Sequence, residues 1–248
     1  MRMLLVGGSG YVGTMVIPYL KQDNAIRVFD PLPPKDSSVE YVQGSVHDLP
    51  ALRAALGGVD GVVYMTLGRN RDGSYAVQDI DSSYDLHVKG LHRVLAATKE
   101  AGLTRAVYTS SVSVHGTRPG GVCPSEDMAC DAPDLYGFTK WMGELVCDYF
   151  ARVHGLTVVS LRLNGPVTRE EWHRRCRPGQ PNPLVAAPDI ASALLLGLTA
   201  PAKGFHTLFI AGDYEGKLVN CARAKQVLGW EPRERPLAEQ DAGAVERR

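Results

Sequence analysis

The 248-residue sequence has no apolar run long enough to cross a membrane, and it has no excess of either charge. Its 27 lysine and arginine residues balance 27 aspartate and glutamate residues. A neutral chain has no general electrostatic attraction to nucleic acid or to an anionic membrane, so we expect neither as a partner. The first six residues are also too short for the apolar core of a signal peptide.

Cysteine is scarce, and its pattern indicates a cytoplasmic protein. The five cysteines are scattered and none lies in a CxxC pair. An odd, dispersed set is typical of reduced thiols rather than of a disulfide framework. Cys123 and Cys130 share a predicted loop, where a disulfide is possible but two free thiols are favoured. We predict no metal site.

Short apolar runs alternate with longer helical patterns along the chain. The apolar runs are rich in β-branched residues, and they predict strands at 3–6, 25–29, 40–43, 61–65, 105–109, 157–162 and 206–211. The intervening patterns predict helices at 11–22, 49–55, 79–101, 135–154, 188–200 and 222–228. This alternation predicts an α/β fold, a Rossmann-like doubly wound parallel sheet with helices on both faces.

The composition changes after residue 166, and this change divides the predicted organisation. Residues 1–166 are expected to form a dinucleotide-binding domain that also carries the catalytic residues. Residues 167–235 are expected to form a small substrate-binding cap, and residues 236–248 a frayed polar tail. Within the cap, residues 167–183 are rich in Arg, Pro and Gly and are predicted to form a loop.

Three glycines follow the first predicted strand with GxxGxxG spacing. Gly7 would turn the chain, Gly10 would let backbone amides approach a pyrophosphate, and Gly13 would let the helix pack on the sheet. Alone, the motif also fits an ordinary strand–helix turn. Asp30 ends the second predicted strand, where a carboxylate bonds the ribose hydroxyls and repels a 2′-phosphate. It therefore favours NAD over NADP, and Lys35 is the residue that could reverse this preference.

A second motif, Tyr136 followed four residues later by Lys140, carries the predicted chemistry. The two side chains share one face of a helix. A nearby ammonium and a positive nicotinamide would lower the pKa of Tyr136, so the phenolate could take a hydroxyl proton while a hydride leaves. Ser111 ends a predicted strand and would orient the substrate oxygen. A lone Tyr-x-x-x-Lys is common on solvated helices, but its place downstream of Ser111 and the glycines favours catalysis.

In this order the motifs resemble those of extended short-chain dehydrogenase/reductases of the NAD-dependent epimerase/dehydratase family. The resemblance covers nearly the whole chain, and the size is similar to that of compact members such as uronate dehydrogenases. It implies NAD as cofactor and catalysis by Ser111, Tyr136 and Lys140. The implied cofactor contacts are Gly7, Gly10, Tyr11, Val12, Gly13, Asp30, Asp48, Leu49, Met65, Thr66, Leu67, Tyr136 and Lys140.

Three departures from the family pattern stand near the predicted site. His87 replaces a usual Asn and His115 a common Tyr, and either histidine serves packing or a proton relay. Val112 and Ser113 stand where sugar dehydratases carry an Asp–Glu pair, so we do not expect elimination chemistry.

The substrate half suggests a small, sugar-like molecule, either neutral or anionic. The segment after Pro166 is short for the family, which implies a smaller substrate than a nucleotide sugar. Arginines at 169, 174, 175 and 177 would form an anion clamp, or else a solvated basic loop balanced by Glu170 and Glu171. The expected substrate contacts are Ser111, Ser113, Asn164, Arg169 and Arg174.

Three functions fit these features. The first is NAD-dependent epimerisation or net oxidation of a secondary alcohol in a sugar or sugar derivative. The second is a ketoreductase or dehydrogenase acting on a non-sugar small molecule, and the third is a non-catalytic NAD-binding regulator. The resemblance also implies a homodimer in which helices 79–101 and 135–154 form a four-helix contact.

Overall fold

Seven parallel strands form a single sheet in the structure, a computed structural model that describes residues 1–68, 77–123, 125–177 and 179–236. The strand order is β3-β2-β1-β4-β5-β6-β7. The strands are β1 (Arg2–Val6), β2 (Ala25–Asp30), β3 (Glu40–Gln43), β4 (Gly61–Tyr64), β5 (Arg105–Ser111), β6 (Thr157–Leu163) and β7 (Phe205–Ile210). The predicted doubly wound α/β fold is confirmed.

Helices cover both faces of this sheet. They are α1 (Tyr11–Leu20), α2 (Leu49–Leu56), α3 (Ile80–Tyr84), α4 (Leu91–Glu100), α5 (Leu135–His154), α6 (Arg169–Arg175), α7 (Ala187–Thr199) and α8 (Ala222–Leu228). The long helix predicted at 79–101 is interrupted, because a π-helical turn, Asp85–Gly90, joins α3 to α4. Two short 3₁₀ turns follow β5 at Val112–Val114 and Pro119–Gly121.

The prediction of a loop over residues 167–183 is wrong in part, because α6 lies within it. The hydroxyl of Thr168 accepts a hydrogen bond from the backbone N–H of Glu171 and so caps the N-terminus of α6. Glu170 and Glu171 lie in its first turn, where negative charge stabilises a helix. Trp172 anchors α6 to the protein, since its side chain is fully buried and its Nε1 donates to the Leu184 carbonyl at 2.8 Å.

Alternate strand residues enter two separate cores. Leu5 and Val63 pack on the face covered by α1, α7 and α8, whereas Leu4 and Val62 pack on the face covered by α2, α4 and α5. Because both faces are buried, the strands are almost continuously apolar, and that is why their positions were predictable.

The C-terminal part is tied to α7. The indole Nε1 of Trp230 donates to Ser192 Oγ at 2.9 Å, and the buried carboxylate of Asp189 accepts the backbone N–H groups of Arg233 and Glu234. The predicted polar tail lies, apart from its first residue, outside the described residues. None of the helices in the described ranges combines the length and the apolar character needed to cross a membrane.

Candidate active site

The strand order reverses between β1 and β4, and a cavity of about 300 Å³ opens there at the carboxyl ends of the strands. Parallel sheets bind ligands at this kind of switch point, where neighbouring connections leave on opposite faces. The cavity is lined by segments from four strand ends, among them Gly7, Ser9, Gly10, Asp30, Ser45 and Thr66. We call it the dinucleotide cavity.

The glycine turn forms one wall of the dinucleotide cavity. Gly7 has a φ of +83°, and a Cβ there would stand 2.8 Å from the Cα of Thr66. A Cβ on Gly13 would stand 2.1 Å from the carbonyl oxygen of Gly8, so only glycine lets α1 pack this closely. The N-terminus of α1 has no side-chain cap, and the positive end of a helix favours an anion at this position. These features fit a bound pyrophosphate.

Asp30 is held rigidly at the mouth of the dinucleotide cavity. One carboxylate oxygen accepts the N–H of Ser9 at 3.1 Å, and the other accepts the N–H of Leu32 at 3.0 Å. The hydroxyl of Ser9 also donates to the Leu32 carbonyl at 2.6 Å. A carboxylate held at this position can meet ribose hydroxyls, and its charge opposes a 2′-phosphate.

A second cavity, of about 330 Å³, adjoins the first because Leu67 lines both. It lies between the ends of β5 and β6 and the start of α5. Its polar lining includes Ser111, Ser113, Tyr136, Lys140 and Asn164. We call it the catalytic cavity. The structure thus brings together the three predicted catalytic residues and three of the five predicted substrate contacts, Ser111 belonging to both sets.

Hydrogen bonds fix the catalytic groups. Lys140 Nζ donates to the Thr109 carbonyl at 3.0 Å and stands 5.8 Å from the centroid of the Tyr136 ring. The Ser111 hydroxyl donates to Ser113 Oγ at 3.0 Å and accepts the N–H of Ser113 at 3.1 Å. Ser113 therefore orients Ser111 within the catalytic cavity.

Burial shifts the pKa values of Tyr136 and Lys140 in directions that were not predicted from the sequence. Burial lowers the pKa of Lys140 to about 7, against its ordinary value of 10.5, because the ammonium is removed from water. Burial also raises the pKa of Tyr136, and the hydrogen bond with Ser111 offsets this only in part. The predicted fall in the pKa of Tyr136 assumed both the ammonium and a bound nicotinamide, and in the protein alone the pKa is raised.

The remaining predicted cofactor residues divide into two groups. Val12, Met65, Thr66 and Leu67 line one or both cavities. The other three have structural contacts: the Tyr11 hydroxyl donates to the Pro166 carbonyl at 3.0 Å, the Asp48 carboxylate accepts the Ala51 N–H at the start of α2, and Leu49 packs on the core. Near Asp48, the dinucleotide cavity is lined instead by residues 44–46.

The arginines predicted to form an anion clamp lie on or next to α6 and are already paired. Arg169 contacts Glu234 at 3.0 Å, and Arg174 contacts Glu171 at 2.7 Å. Arg175 also pairs with Glu171, and Arg177 donates to backbone carbonyls. The described lining of the catalytic cavity does not include Arg169 or Arg174. This pairing is what a solvated basic segment balanced by carboxylates would show.

A buried charge network beside the site was missed in the sequence. Arg162 and Glu144 form a two-point ion pair, with Nη2 to Oε2 at 2.7 Å and Nε to Oε1 at 2.9 Å. Arg162 Nη1 also lies 3.0 Å from Nε2 of His115, and burial together with this guanidinium lowers the pKa of His115. The only signal for this network in the sequence is that charged residues lie inside predicted apolar elements. Within the described ranges, no group of His, Cys, Asp and Glu could hold a metal ion.

The chain resembles known proteins in sequence and in fold. The sequence model of the NAD dependent epimerase/dehydratase family matches residues 3–175. N-acetyl-alpha-D-glucosaminyl-diphospho-ditrans,octacis-undecaprenol 4-epimerase of Escherichia coli O157:H7 is 34% identical over 149 residues. That match covers 58% of this chain and only 42% of the epimerase, so the chain spans less than half of that relative.

A second relative and a solved structure match over longer stretches. L-arabinose 1-dehydrogenase (NAD(P)(+)) of Haloferax volcanii is 30% identical over 189 residues, which cover 68% of this chain and 69% of the dehydrogenase. A short-chain dehydrogenase/reductase superfamily protein of Agrobacterium tumefaciens, solved with bound NAD, superposes with a TM-score of 0.78. The superposition covers 100% of both chains at 22% identity, so it is a likeness of fold.

Proposed function

The chain belongs to the NAD-dependent epimerase/dehydratase family, and from this premise we propose that it oxidises a secondary alcohol of a sugar or sugar derivative by hydride transfer to NAD. The observation that carries the proposal is the junction of the two cavities. Ser111, Tyr136 and Lys140 line one cavity, which adjoins at Leu67 the cavity beside Asp30. The names of one epimerase and one L-arabinose dehydrogenase among its relatives support a sugar-like substrate.

NAD is the proposed cofactor. When bound, it supplies the nicotinamide C4 that accepts the hydride. The glycine turn would hold the pyrophosphate against the uncapped amides of α1, and Asp30 would bond the adenine ribose. Initial rates should be higher with NAD than with NADP. A clear preference for NADP would contradict the role of Asp30.

The protein groups would handle the proton. Ser111 would bond the substrate hydroxyl and hold it against Tyr136, whose phenolate would take the proton as the hydride leaves. Because burial raises the pKa of Tyr136, the phenolate needs positive charge beside it. Protonated Lys140 supplies such a charge, since its Nζ lies 5.8 Å from the ring centroid. Lys140 would also hold the nicotinamide ribose.

A non-sugar alcohol is the second candidate substrate. The catalytic cavity has a largely apolar wall that includes Val12, Met65, Val112 and Leu163. Such a wall would also accept an apolar ketone or alcohol. An assay panel should therefore contain apolar secondary alcohols beside L-arabinose and uronates.

The substitution Tyr136→Phe separates an enzyme from a non-catalytic NAD-binding regulator. We expect kcat to fall by at least about 100-fold, because a positioned acid or base contributes that much, while Kd for NAD stays within about threefold. Tyr149→Phe is the matched control, since Tyr149 lies on the exposed side of the same helix. Equal activity of the Tyr136→Phe variant would refute the proposed role of Tyr136.

Epimerisation and net oxidation differ in what happens to the cofactor. Stoichiometric, non-exchanging NAD in the freshly purified protein would indicate that the cofactor is recycled within each turnover, as in an epimerase. Reversible binding of added NAD, with NADH released in proportion to substrate, would indicate a dehydrogenase.

A homodimer is proposed from the helices on one face of the sheet. Leu145, Tyr149 and Val153 on α5 are exposed apolar residues at helical spacing. Pairing α4 and α5 with the same helices of a second copy would cover them. Sedimentation should give the mass of two chains, and a monomer at micromolar concentration would contradict this proposal.

A further inference from the structure

The buried residue His87 contacts the catalytic helix, although the proposed reaction does not use it. It lies on the π-helical turn Asp85–Gly90 and is 1% exposed. Its Nδ1 lies 2.9 Å from Oγ1 of Thr139, which is the residue directly before Lys140. His87 therefore touches α5 between the two members of the acid/base pair.

The hydrogen bonds of Thr139 favour one of the two tautomers of His87. Thr139 Oγ1 lies 2.9 Å from the Leu135 carbonyl and 3.2 Å from the Tyr136 carbonyl. Carbonyls only accept, so the single hydroxyl proton points to them. The hydroxyl oxygen is then the acceptor for Nδ1, and on this basis we assign His87 the Nδ1–H tautomer.

The imidazole also supports the phenol ring of Tyr136 directly. The two rings meet edge to face, with centroids 5.8 Å apart and an interplanar angle of 75°. The π-helical turn is itself anchored, because the hydroxyl of Tyr64 donates to the Leu86 carbonyl. His87 is thus held on a fixed turn and contacts Tyr136 both at its ring and, through Thr139, at its backbone.

Packing alone does not explain a histidine here. Its Nε2 is buried and has no hydrogen-bond partner among the described residues, and such a nitrogen destabilises the fold. A phenylalanine would fill the same space without an unpaired polar atom. Burial and the charge of Lys140 hold the pKa of His87 well below its usual range, so the ring stays neutral at neutral pH.

We infer that His87 is a positioning residue for Tyr136. The Nδ1–H bond to Thr139 fixes the first turn of α5, and the edge of the imidazole fixes the phenol ring, so that the Tyr136 hydroxyl stays beside Ser111. A small displacement of a reacting group lowers the rate without removing the group itself. The inference rests on the proposed function, in which Tyr136 transfers the proton.

Four variants test the His87–Thr139 bond. His87→Phe and Thr139→Val each remove one partner, and each should lower kcat by about tenfold or more while KM for NAD stays within about threefold. Thr139→Ser keeps the hydroxyl and should keep kcat within about threefold of the wild type, whereas His87→Asn keeps a donor near the position of Nδ1 but loses the ring, so it should restore kcat only in part. The double variant should be no slower than either single one, because the partners act as one unit.

Thr98→Val is the matched control. Thr98 is fully buried on α4, and its hydroxyl donates to the Val94 carbonyl at 2.7 Å, so the change removes a similar helix bond away from Tyr136. Its kcat should be unchanged. An unchanged kcat in Thr139→Val, or additive losses in the double variant, would overturn the inference. If His87→Phe does not fold, the Thr139 variants decide the result alone.

Nitrogen-15 NMR of the histidine ring separates a failure of this inference from a failure of the proposed function. Protonated and unprotonated ring nitrogens give distinct signals, so the tautomer of His87 is read without substrate. A proton on Nε2 instead of Nδ1 would overturn the positioning role, whatever the activity. The expected tautomer in a protein that oxidises none of the assayed alcohols would count against the proposed function instead.

Discussion

Replacing Lys140 with methionine should stabilise the protein while it abolishes activity. The ammonium is fully buried, and burial lowers its pKa from 10.5 to about 7. At about 1.4 kcal/mol per pKa unit, this shift corresponds to about 5 kcal/mol. The free energy of unfolding is lower by that amount at pH values where both the folded and the unfolded chain carry the charge. Methionine has a similar length and no charge, so the Lys140→Met variant avoids this cost.

The gain in stability of the Lys140→Met variant depends on pH. Between pH 7 and pH 10.5 the unfolded chain holds the Lys140 proton and the folded chain has released it, so wild-type stability rises with pH across this window. The electrostatic cost is nearly complete at pH 6 and falls to about 2 kcal/mol at pH 9. Loss of the hydrogen bond to the Thr109 carbonyl removes about 1 kcal/mol at either pH. The variant should therefore be more stable by about 4 kcal/mol at pH 6 and by about 1 kcal/mol at pH 9.

Urea unfolding followed by circular dichroism at the two pH values measures this difference. Lys89→Met is the control, because Lys89 is exposed and pairs with Asp85 on the surface at 3.0 Å. Its stability should stay within about 0.5 kcal/mol of the wild type at both pH values. The reasoning is refuted if Lys140→Met is less stable than the wild type at pH 6, or if its gain is the same at pH 9.

Two further predictions concern buried charge and the glycine turn. Glu144→Gln leaves the guanidinium of Arg162 buried without its counter-charge, so the free energy of unfolding should fall by about 3–5 kcal/mol. Asp148→Asn is the control: it breaks an exposed ion pair on the same helix and should lower the free energy of unfolding by less than about 0.5 kcal/mol. Equal effects in urea unfolding would contradict this. Gly7→Ala introduces a Cβ that meets backbone beside the dinucleotide cavity, and calorimetric titration should show at least about tenfold weaker NAD binding. Gly102→Ala, with a φ of +75° but no atom near its Cβ, should lower stability and leave NAD binding unchanged.

Helix α5 illustrates what local sequence predicts well. The structure has it at Leu135–His154, the same residues as predicted. Neighbouring residues specify both ends of the helix. The Asp134 carboxylate accepts the Gly137 N–H at the start, and Gly155 takes the left-handed conformation at the end. Helix α6 carried a similar signal at Thr168 and Glu171, but the surrounding arginines and prolines favoured a loop.

The π-helical turn Asp85–Gly90 had no such local signal. The periodic apolar residues of this stretch fit one straight helix. The turn is stabilised by contacts from elsewhere in the chain, which include the Tyr64 hydroxyl on the Leu86 carbonyl and Thr139 on His87. A one-residue change of register in a helix depends on such distant partners, and these are absent from any sequence window.

The order of apolar runs and helical patterns specifies the sheet, its parallel direction and the edge at which Gly7, Ser111 and Tyr136 meet. Strand–helix alternation forces parallel strands, and parallel strands end on the same side. How charges pair, and how far burial shifts the pKa values of the catalytic groups, depends on the tertiary structure. Arg169 meets Glu234, 65 residues away, and Lys140 is buried with its Nζ 5.2 Å from the centroid of the Tyr108 ring. Ion pairing and desolvation depend on distance in space, which no local pattern of residues records.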